Sequence, residues 1–302
     1  MLLPVTTPFD SAGEVDLKAL RSNLTKWSET AITGFVMLGS TGERVNLEER
    51  EYLEVITAAR ERAPERLTFI VGAGQQSTRG TINEVRRVAA TVSVYAFLVI
   101  TPSFYRPSIT QEALIAHYQA VADAAPAPVI LYSMPALTGI KIEPQTAARL
   151  SEHANIIGIK DSSNDLAGFA ETIKLVGKDF AVLTGNGTVL RDALTAGACG
   201  GILAVGCVAP DLCLEIYRAV KAGEAERASK LQSALTPLAQ AVTNRFGIGG
   251  LKAALDLKGY TGGHVRAPLR GPDSEAREQI RRCLETANTE LRRLQTSETA
   301  II

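Results

Sequence analysis

A lysine closes the apolar run IIGIK at 156–160, and a tyrosine stands near the end of another, PVILYS at 128–133. A third stretch, GSTGE at 39–43, offers two hydroxyls and a flexible backbone ahead of a helical segment. Side chains alternate faces along a strand. Ile156, Gly158 and Lys160 therefore share one face, and Ile157 and Ile159 the other. With 157 and 159 packed on helices, Lys160 points into an apolar interior, and Gly158 leaves space below it. Desolvation disfavours the ammonium form, and a neutral amine attacks a carbonyl to form a Schiff base. The protonated imine is an electron sink for making or breaking the adjacent carbon–carbon bond. Tyr132 shares its face with Ile130, and a buried phenol beside an imine shuttles protons. GSTGE suits a carboxylate or phosphate held by backbone N–H groups at a helix N-terminus. Each stretch also has a plainer reading. Lys160 is then a strand-end lysine that snorkels to solvent, Tyr132 a core tyrosine, and GSTGE a tight turn.

The elements that must position these residues alternate along the chain. Eight short apolar runs read as strands: 2–6, 34–39, 67–73, 95–101, 128–133, 156–160, 180–184 and 201–206. Most are apolar throughout, as parallel strands buried on both faces are. Helical segments lie between them. Asp16 caps one bearing Leu17, Leu20, Leu24 and Trp27, and Thr110 starts one bearing Leu114 and Tyr118. Asn46 with Glu49 forms a start resembling a capping box. Eight alternations predict a (β/α)8 TIM barrel, and no GxGxxG follows the first strand to suggest an open dinucleotide-binding sheet. Strand signals stop near Asp211. The expected division is a barrel over residues 1–222 and a helical C-terminal extension over 223–302, its polar tail fraying after about Leu294. In such a barrel the chemistry gathers where strands end. GSTGE, TPSFYRP (101–107), Tyr132, Lys160, TGNG (184–187) and GGILAVG (200–206) all fall at that end.

Composition narrows the class. The chain has 302 residues, 46% hydrophobic and 21% charged, which suits a globular protein with a sizeable core. Lys+Arg and Asp+Glu are both 32, with no basic block, which argues against nucleic acid as a partner. No apolar run approaches the ~18 residues of a membrane span. The start MLLPVTTPFD reads as a first strand rather than a signal peptide. Cys199, Cys207, Cys213 and Cys283 form no CxxC pair, which suits free thiols in a reducing cytoplasm. His117, His153 and His264 lack metal-ligand spacing, so no metal is expected.

In order and spacing, GSTGE, YSMPALTG, IIGIKDSSN, LTGNG and GGILAVG resemble the dihydrodipicolinate synthase / N-acetylneuraminate lyase family. The resemblance runs from TTPF at 6–9 to the C-terminal helices. It implies a pyruvate-dependent class I aldolase on a (β/α)8 barrel, usually a homotetramer, with no cofactor beyond the covalent Schiff base. The substrate it implies is a small 2-oxo acid. Lys160 matches the Schiff-base lysine and Tyr132 the proton-relay tyrosine. Ser40 and Thr41 match the positions that hold the pyruvyl carboxylate, and Ser40 also the relay hydroxyl. Ile202 matches the strand-8 position whose carbonyl faces the lysine. Ser162 and Gly185 match positions lining the substrate side.

Within the family, the synthase that condenses pyruvate with aspartate semialdehyde has an arginine where this chain has Leu137. Sialic acid lyases carry an acidic pair where Asn186, Gly187 and Thr188 stand here. VILYSMPALTG (129–139), AVTNRFGIGGLK (241–252) and GYTGGHVRAPL (259–269) resemble 4-hydroxy-2-oxoglutarate aldolase most. The reaction this implies is retro-aldol cleavage to pyruvate and glyoxylate. Condensation with aspartate semialdehyde, action on a 2-keto-3-deoxy sugar acid, and a weakly active ligand-binding paralogue are the alternatives. Phe104 occupies the place of the family's second relay tyrosine, which enters a neighbouring subunit's site. Either Tyr105 takes over, or the relay runs through Ser40 and water, or the activity is altered.

Overall fold

The computed structural model describes residues 1–299. Eight strands pair in parallel and in chain order. They are β1 (Leu2–Pro4), β2 (Gly34–Met37), β3 (Thr68–Ala73), β4 (Ala96–Ile100), β5 (Val129–Ser133), β6 (Ile156–Asp161), β7 (Ala181–Thr184) and β8 (Gly200–Gly201). A parallel bridge between Leu2 and Ile202 brings β8 back to β1. The result is the expected TIM barrel. Helices α1 (Leu17–Ser28), α2 (Glu49–Arg62), α3 (Thr78–Thr91) and α4 (Gln111–Ala124) follow the first four strands. The one-turn α5 (Pro135–Thr138) and α6 (Pro144–Ser151) follow β5; α7 (Leu166–Leu175), α8 (Leu190–Ala196) and α9 (Pro210–Lys221) complete the ring.

Period-2 alternation sorts the core. Val36, Ile70, Leu98 and Ile130 fill the barrel interior, while Phe35, Phe69, Phe97 and Leu131 pack outward beneath the helices. Each such side chain, fully buried, is worth about 1.5–3 kcal/mol. Asp16 and Thr110 cap α1 and α4 as the sequence predicts, accepting from the Ala19 and Ala113 N–H groups at 2.8 and 3.2 Å. Buried tyrosines pin helices to strands. Tyr52 on α2 donates to the Gly72 carbonyl at 2.8 Å, and Tyr118 on α4 to that of Val99 at 3.0 Å.

Three local expectations are corrected. Glu48, not Asn46, caps α2, in a reciprocal box with Glu51. Asn46 belongs to the preceding 3-10 turn, where its N–H bonds the Glu43 carbonyl at 2.8 Å. In β6 the register shifts opposite Val129 and Ile130. Ile156 then joins Ile159 in the outer core, and Ile157 packs against the inner one. The eighth strand ends early: Ala204–Cys207 curl into a 3-10 turn, with the Gly206 N–H on Leu203 rather than on a neighbouring strand. An added Cβ at Gly206 lands 3.0 Å from Leu3, so the turn seats tightly against β1.

Beyond α9 the chain forms α10 (Ala225–Ala239), a π-helical turn (Gln240–Arg245), α11 (Gly247–Leu257) and α12 (Ser274–Thr299). Pro237 lies inside α10 and lacks the N–H that would reach the Ser233 carbonyl one turn before it. The tail predicted to fray after Leu294 stays helical to Thr299, and residues 300–302 lie outside the described residues. No helix among the described residues is long and apolar enough to cross a membrane. No group of three or more His, Cys, Asp or Glu among them is placed to hold a metal ion.

Candidate active site

Lys160 and Tyr132 are register partners on β6 and β5. They are 4% and 2% exposed. The bulge in β6 lies below Gly158, so the alternation that turns Gly158 and Lys160 inward survives above it. Lys160 Nζ lies 4.2 Å from the centroid of the Tyr132 ring, inside cation–π range. The Tyr132 hydroxyl and Ser40 Oγ share a hydrogen bond of 2.9 Å. Burial pushes the Tyr132 phenol up. The Lys160 charge and hydrogen bonds with Ser40, Lys160 and Ser162 outweigh that, leaving its pKa below the ordinary tyrosine value. A phenol shifted toward neutrality is better matched to proton transfer.

Ser162 and Gly185 close the far side of the lysine. An added Cβ at Gly185 lands 1.8 Å from Ser162 Oγ and 2.7 Å from Lys160 Cε, so only glycine fits. The Gly185 N–H donates to the Asp161 carbonyl at 2.6 Å, which fixes β7 against β6 here. Next to Gly185, Asn186 donates to the Ser163 carbonyl at 3.3 Å and pairs with Asn164. Its Oδ1 accepts from the Thr188 N–H at 3.0 Å and hydroxyl at 2.8 Å. The rim on this side is therefore neutral and amide-lined. Ile202 sits in the barrel interior, with its N–H on the Thr184 carbonyl at 2.9 Å.

Ser40, Thr41 and Gly42 form a 3-10 turn directly after β2. The first N–H groups of a helical turn have no partner within it. Thr41 is buried and Ser40 half-buried. The turn is entered through Leu38 at φ +52 and left through Glu43 at φ +53, both unusual for residues with a Cβ. Such conformations cost about 1–3 kcal/mol each and persist where the surroundings over-determine them. Gly72 admits the Leu38 peptide, because an added Cβ there lands 2.3 Å from the Leu38 carbonyl oxygen.

A cavity of about 680 Å³ opens from Ser40 and Tyr132 past Thr101, Leu137 and Thr138. Its wall stops short of Lys160, which lies on the face of the Tyr132 ring. Leu137 is exposed beside it. Tyr105 is not brought to Lys160: it stacks edge to face on Phe104 with ring centroids 5.0 Å apart. Both rings lie on the outer surface, 69% and 75% exposed. The site thus gathers Lys160, Tyr132, Ser40, Ser162 and Gly185, with Thr41 and Ile202 on flanking strands' ends.

A model described as the dihydrodipicolinate synthetase family matches residues 1–287. The chain belongs to that family. It is 34% identical over 281 residues to the 4-hydroxy-tetrahydrodipicolinate synthase of Methanopyrus kandleri, covering 92% of this chain and 93% of the relative. The synthase of the same name from Ruegeria pomeroyi is 34% identical over 277 residues, covering 91% and 94%. The structure of the synthase from Methylacidiphilum fumariolicum SolV superposes with a TM-score of 0.90 at 26% identity, covering 98% of this chain and 97% of that one. A prophage protein of the family from E. coli K12, solved in complex with pyruvate, superposes at 0.88 with 27% identity, covering 95% and 98%. The chain is thus an enzyme, a class I carbon–carbon lyase of the pyruvate-dependent aldolase type.

Sequence reasoning missed three residues that bear on the site. Lys252 is 1% exposed within AVTNRFGIGGLK, and Glu43 of GSTGE is 2% exposed. The signal was present for Lys252: it interrupts an otherwise apolar helical run, GGLKAAL. Asp161 was missed as well. Burial raises its carboxyl above the ordinary value, and its Oδ1 accepts from the Ser163 N–H at 2.7 Å.

Proposed function

We propose that Lys160 attacks the ketone of a 2-oxo acid, loses water and forms a protonated Schiff base. The observation that carries this reading is the buried Lys160 beside the Tyr132–Ser40 hydrogen bond at the carboxyl ends of the strands. In our first reading the substrate is 4-hydroxy-2-oxoglutarate. Tyr132 accepts the C4 hydroxyl proton and the C3–C4 bond breaks. Its electrons pass to the iminium, leaving an enamine and free glyoxylate. Protonation at C3 and hydrolysis then give pyruvate and the free lysine. Ser40 and Thr41 hold the pyruvyl carboxylate, and Ser40 keeps the phenol oriented. Ser162 and Gly185 line the substrate side, and the Ile202 carbonyl faces the amine. No cofactor enters this chemistry.

A second reading has a specific observation behind it. The relatives compared above are named 4-hydroxy-tetrahydrodipicolinate synthase, which favours condensation of pyruvate with aspartate semialdehyde. Leu137, in place of the arginine expected for that substrate's carboxylate, weighs against it, since a bidentate charged contact is costly to lose. Borohydride with pyruvate should trap an adduct on Lys160, and Lys160→Ala should remove it. An unmodified Lys160 after that treatment sinks the mechanism. Pyruvate release from 4-hydroxy-2-oxoglutarate and from 2-keto-3-deoxy acids, set against pyruvate consumption with aspartate semialdehyde, separates the substrates.

The same reading includes a cytoplasmic homotetramer and a chain divided into a barrel (1–222) and a helical extension (223–302). Sedimentation of the purified chain tests the assembly.

A further inference from the structure

Two sequence motifs have no part in the chemistry above, AVTNRFGIGGLK and GYTGGHVRAPL. Both converge on Glu43, the last residue of GSTGE. Lys252, from α11, places Nζ 2.5 Å from Glu43 Oε1, and the two side chains are 2% and 1% exposed. The same amine donates to the His264 carbonyl. The Arg266 N–H donates to Glu43 Oε2 at 3.0 Å, and Asn46 donates to that oxygen at 3.3 Å. Arg266 itself grips Glu51 with two bonds of 2.5 and 2.6 Å. Phe9 lies beneath both cations, 4.5 Å from Lys252 Nζ and 4.4 Å from the Arg266 guanidinium carbon. Glycines let these segments meet: an added Cβ at Gly262 lands 2.0 Å from the Lys252 carbonyl oxygen, and one at Gly263 lands 2.7 Å from that of Phe9.

The backbone consequence falls on the Ser40 turn. The Glu43 N–H closes that turn on the Ser40 carbonyl at 3.1 Å, with Glu43 held at φ +53. A residue in that conformation needs support from its surroundings. Glu43 lines the cavity wall, and the partners that fix its buried carboxylate come chiefly from beyond the barrel. A buried ion pair adds little net stability over an apolar pair of the same shape, so its effect lies in geometry. We infer that Lys252 and Arg266 are positioning residues: through Glu43 the C-terminal extension sets the Ser40–Thr41 turn against Tyr132. This deepens the Schiff-base reading and rests on it for its kinetic readout only.

The test pairs Glu43→Gln with Lys252→Met in the full chain, because removing one charge alone strands the other. Glu43→Gln by itself is the second variant. Burial already holds Lys252 below the ordinary lysine value. Circular dichroism checks folding. Two readouts follow. The pyruvate concentration for half-maximal trapping of Lys160 should rise tenfold or more. The Tyr132 phenol, read as the ultraviolet titration difference from Tyr132→Phe, should move up by roughly half a pKa unit as the Ser40 bond loosens. A folded variant with wild-type half-saturation and an unmoved phenol overturns the inference, even with a lowered Tm, since a merely structural role predicts that pattern. Failure of the wild type to trap pyruvate refutes the Schiff-base reading instead, and the phenol titration still decides the positioning.

Discussion

Gly185→Ala places a methyl group where the structure has none to spare. The new Cβ lands 1.8 Å from Ser162 Oγ and 2.7 Å from Lys160 Cε. Contacts below 3.0 Å are not met by real Cβ atoms, so something moves. The serine hydroxyl can rotate away, but the lysine stem is confined by the barrel, and β7 is tied to β6 by the 2.6 Å bond from Gly185 to Asp161. Relief therefore shifts Lys160 Cε by several tenths of an ångström to about 1 Å. Overpacking of this kind costs about 1–3 kcal/mol of stability, a loss a domain of this size tolerates. A misplacement near 1 Å at the reacting group costs on the order of 100-fold in rate. The expected variant is folded, with a Tm lowered by a few degrees and kcat and Lys160 trapping rate both reduced about 100-fold. The assay is quench-flow with borohydride and pyruvate, alongside steady-state turnover. A folded Gly185→Ala that traps pyruvate at the wild-type rate refutes the claim that Gly185 confines the lysine.

Tyr132→Phe deletes the hydroxyl bonded to Ser40 at 2.9 Å and should slow turnover by about 10²–10⁴-fold while trapping on Lys160 persists; wild-type turnover contradicts the relay role. His117 carries a pH prediction. Burial pushes its imidazole down to about 4, its Nδ1 bonds the Thr78 hydroxyl at 2.9 Å, and its buried Nε2 has no partner among the described residues. The unfolded chain therefore takes up this proton first. Its contribution is complete above the unfolded value of 6.5, declines as pH falls, and is lost by about pH 4. At pH 5 the loss is about 2 kcal/mol, and urea titrations of His117→Gln should lack that slope; equal slopes in the two proteins contradict it. Leu137→Arg adds a cation at an exposed position, with a stability change within about 0.5 kcal/mol. It should raise condensation with aspartate semialdehyde by roughly 10–100-fold; no gain places that substrate's carboxylate elsewhere.

The barrel was legible because its signal is repetitive: eight apolar runs of strand length are redundant evidence. The lysine and tyrosine were legible because period-2 alternation carries a side chain to a definite face. That rule broke once, at Ile156 and Ile157, where a bulge resets the phase and periodicity carries no trace of it. Strand 8 was read too long because GILAVG is as apolar as a strand, while its fate depends on contacts with β1 across the closure. The α2 cap was displaced from Asn46 to Glu48 because a 3-10 turn with its own bonds to Glu43 occupies the intervening residues. Lys252 stood out as a charge in the apolar run GGLKAAL, but its pairing with Glu43 was not legible. The pair's members are 209 positions apart, and no local pattern says which distant residue a buried charge pairs with.

These differences divide the site into two halves with different physical bases. The half proposed to meet the 2-oxo acid is built on strand ends and one braced turn: Lys160, Tyr132 and Ser40 cannot move without disturbing buried neighbours. The half proposed to meet the rest of the substrate is built on loops, with Asn164, Asn186 and Thr188 on one side and Leu137 on the other. A distal carboxylate there meets the amides of Asn164 and Asn186 and the Thr188 hydroxyl, with Lys141 held by Asp165 close by. Arg106 reaches the rim from the β4 loop, where an added Cβ at Gly139 lands 2.9 Å from its guanidinium. Its side chain is exposed and long, so it can turn toward a bound anion without repacking the core. A substrate whose far end is small, as glyoxylate is, needs only one such contact. A substrate that requires a fixed bidentate clamp needs an arginine at 137. The reaction type therefore follows from the rigid half. On the proposed function, discrimination between aldehydes rests on the loops, where one or two exposed substitutions should alter selectivity without touching the fold.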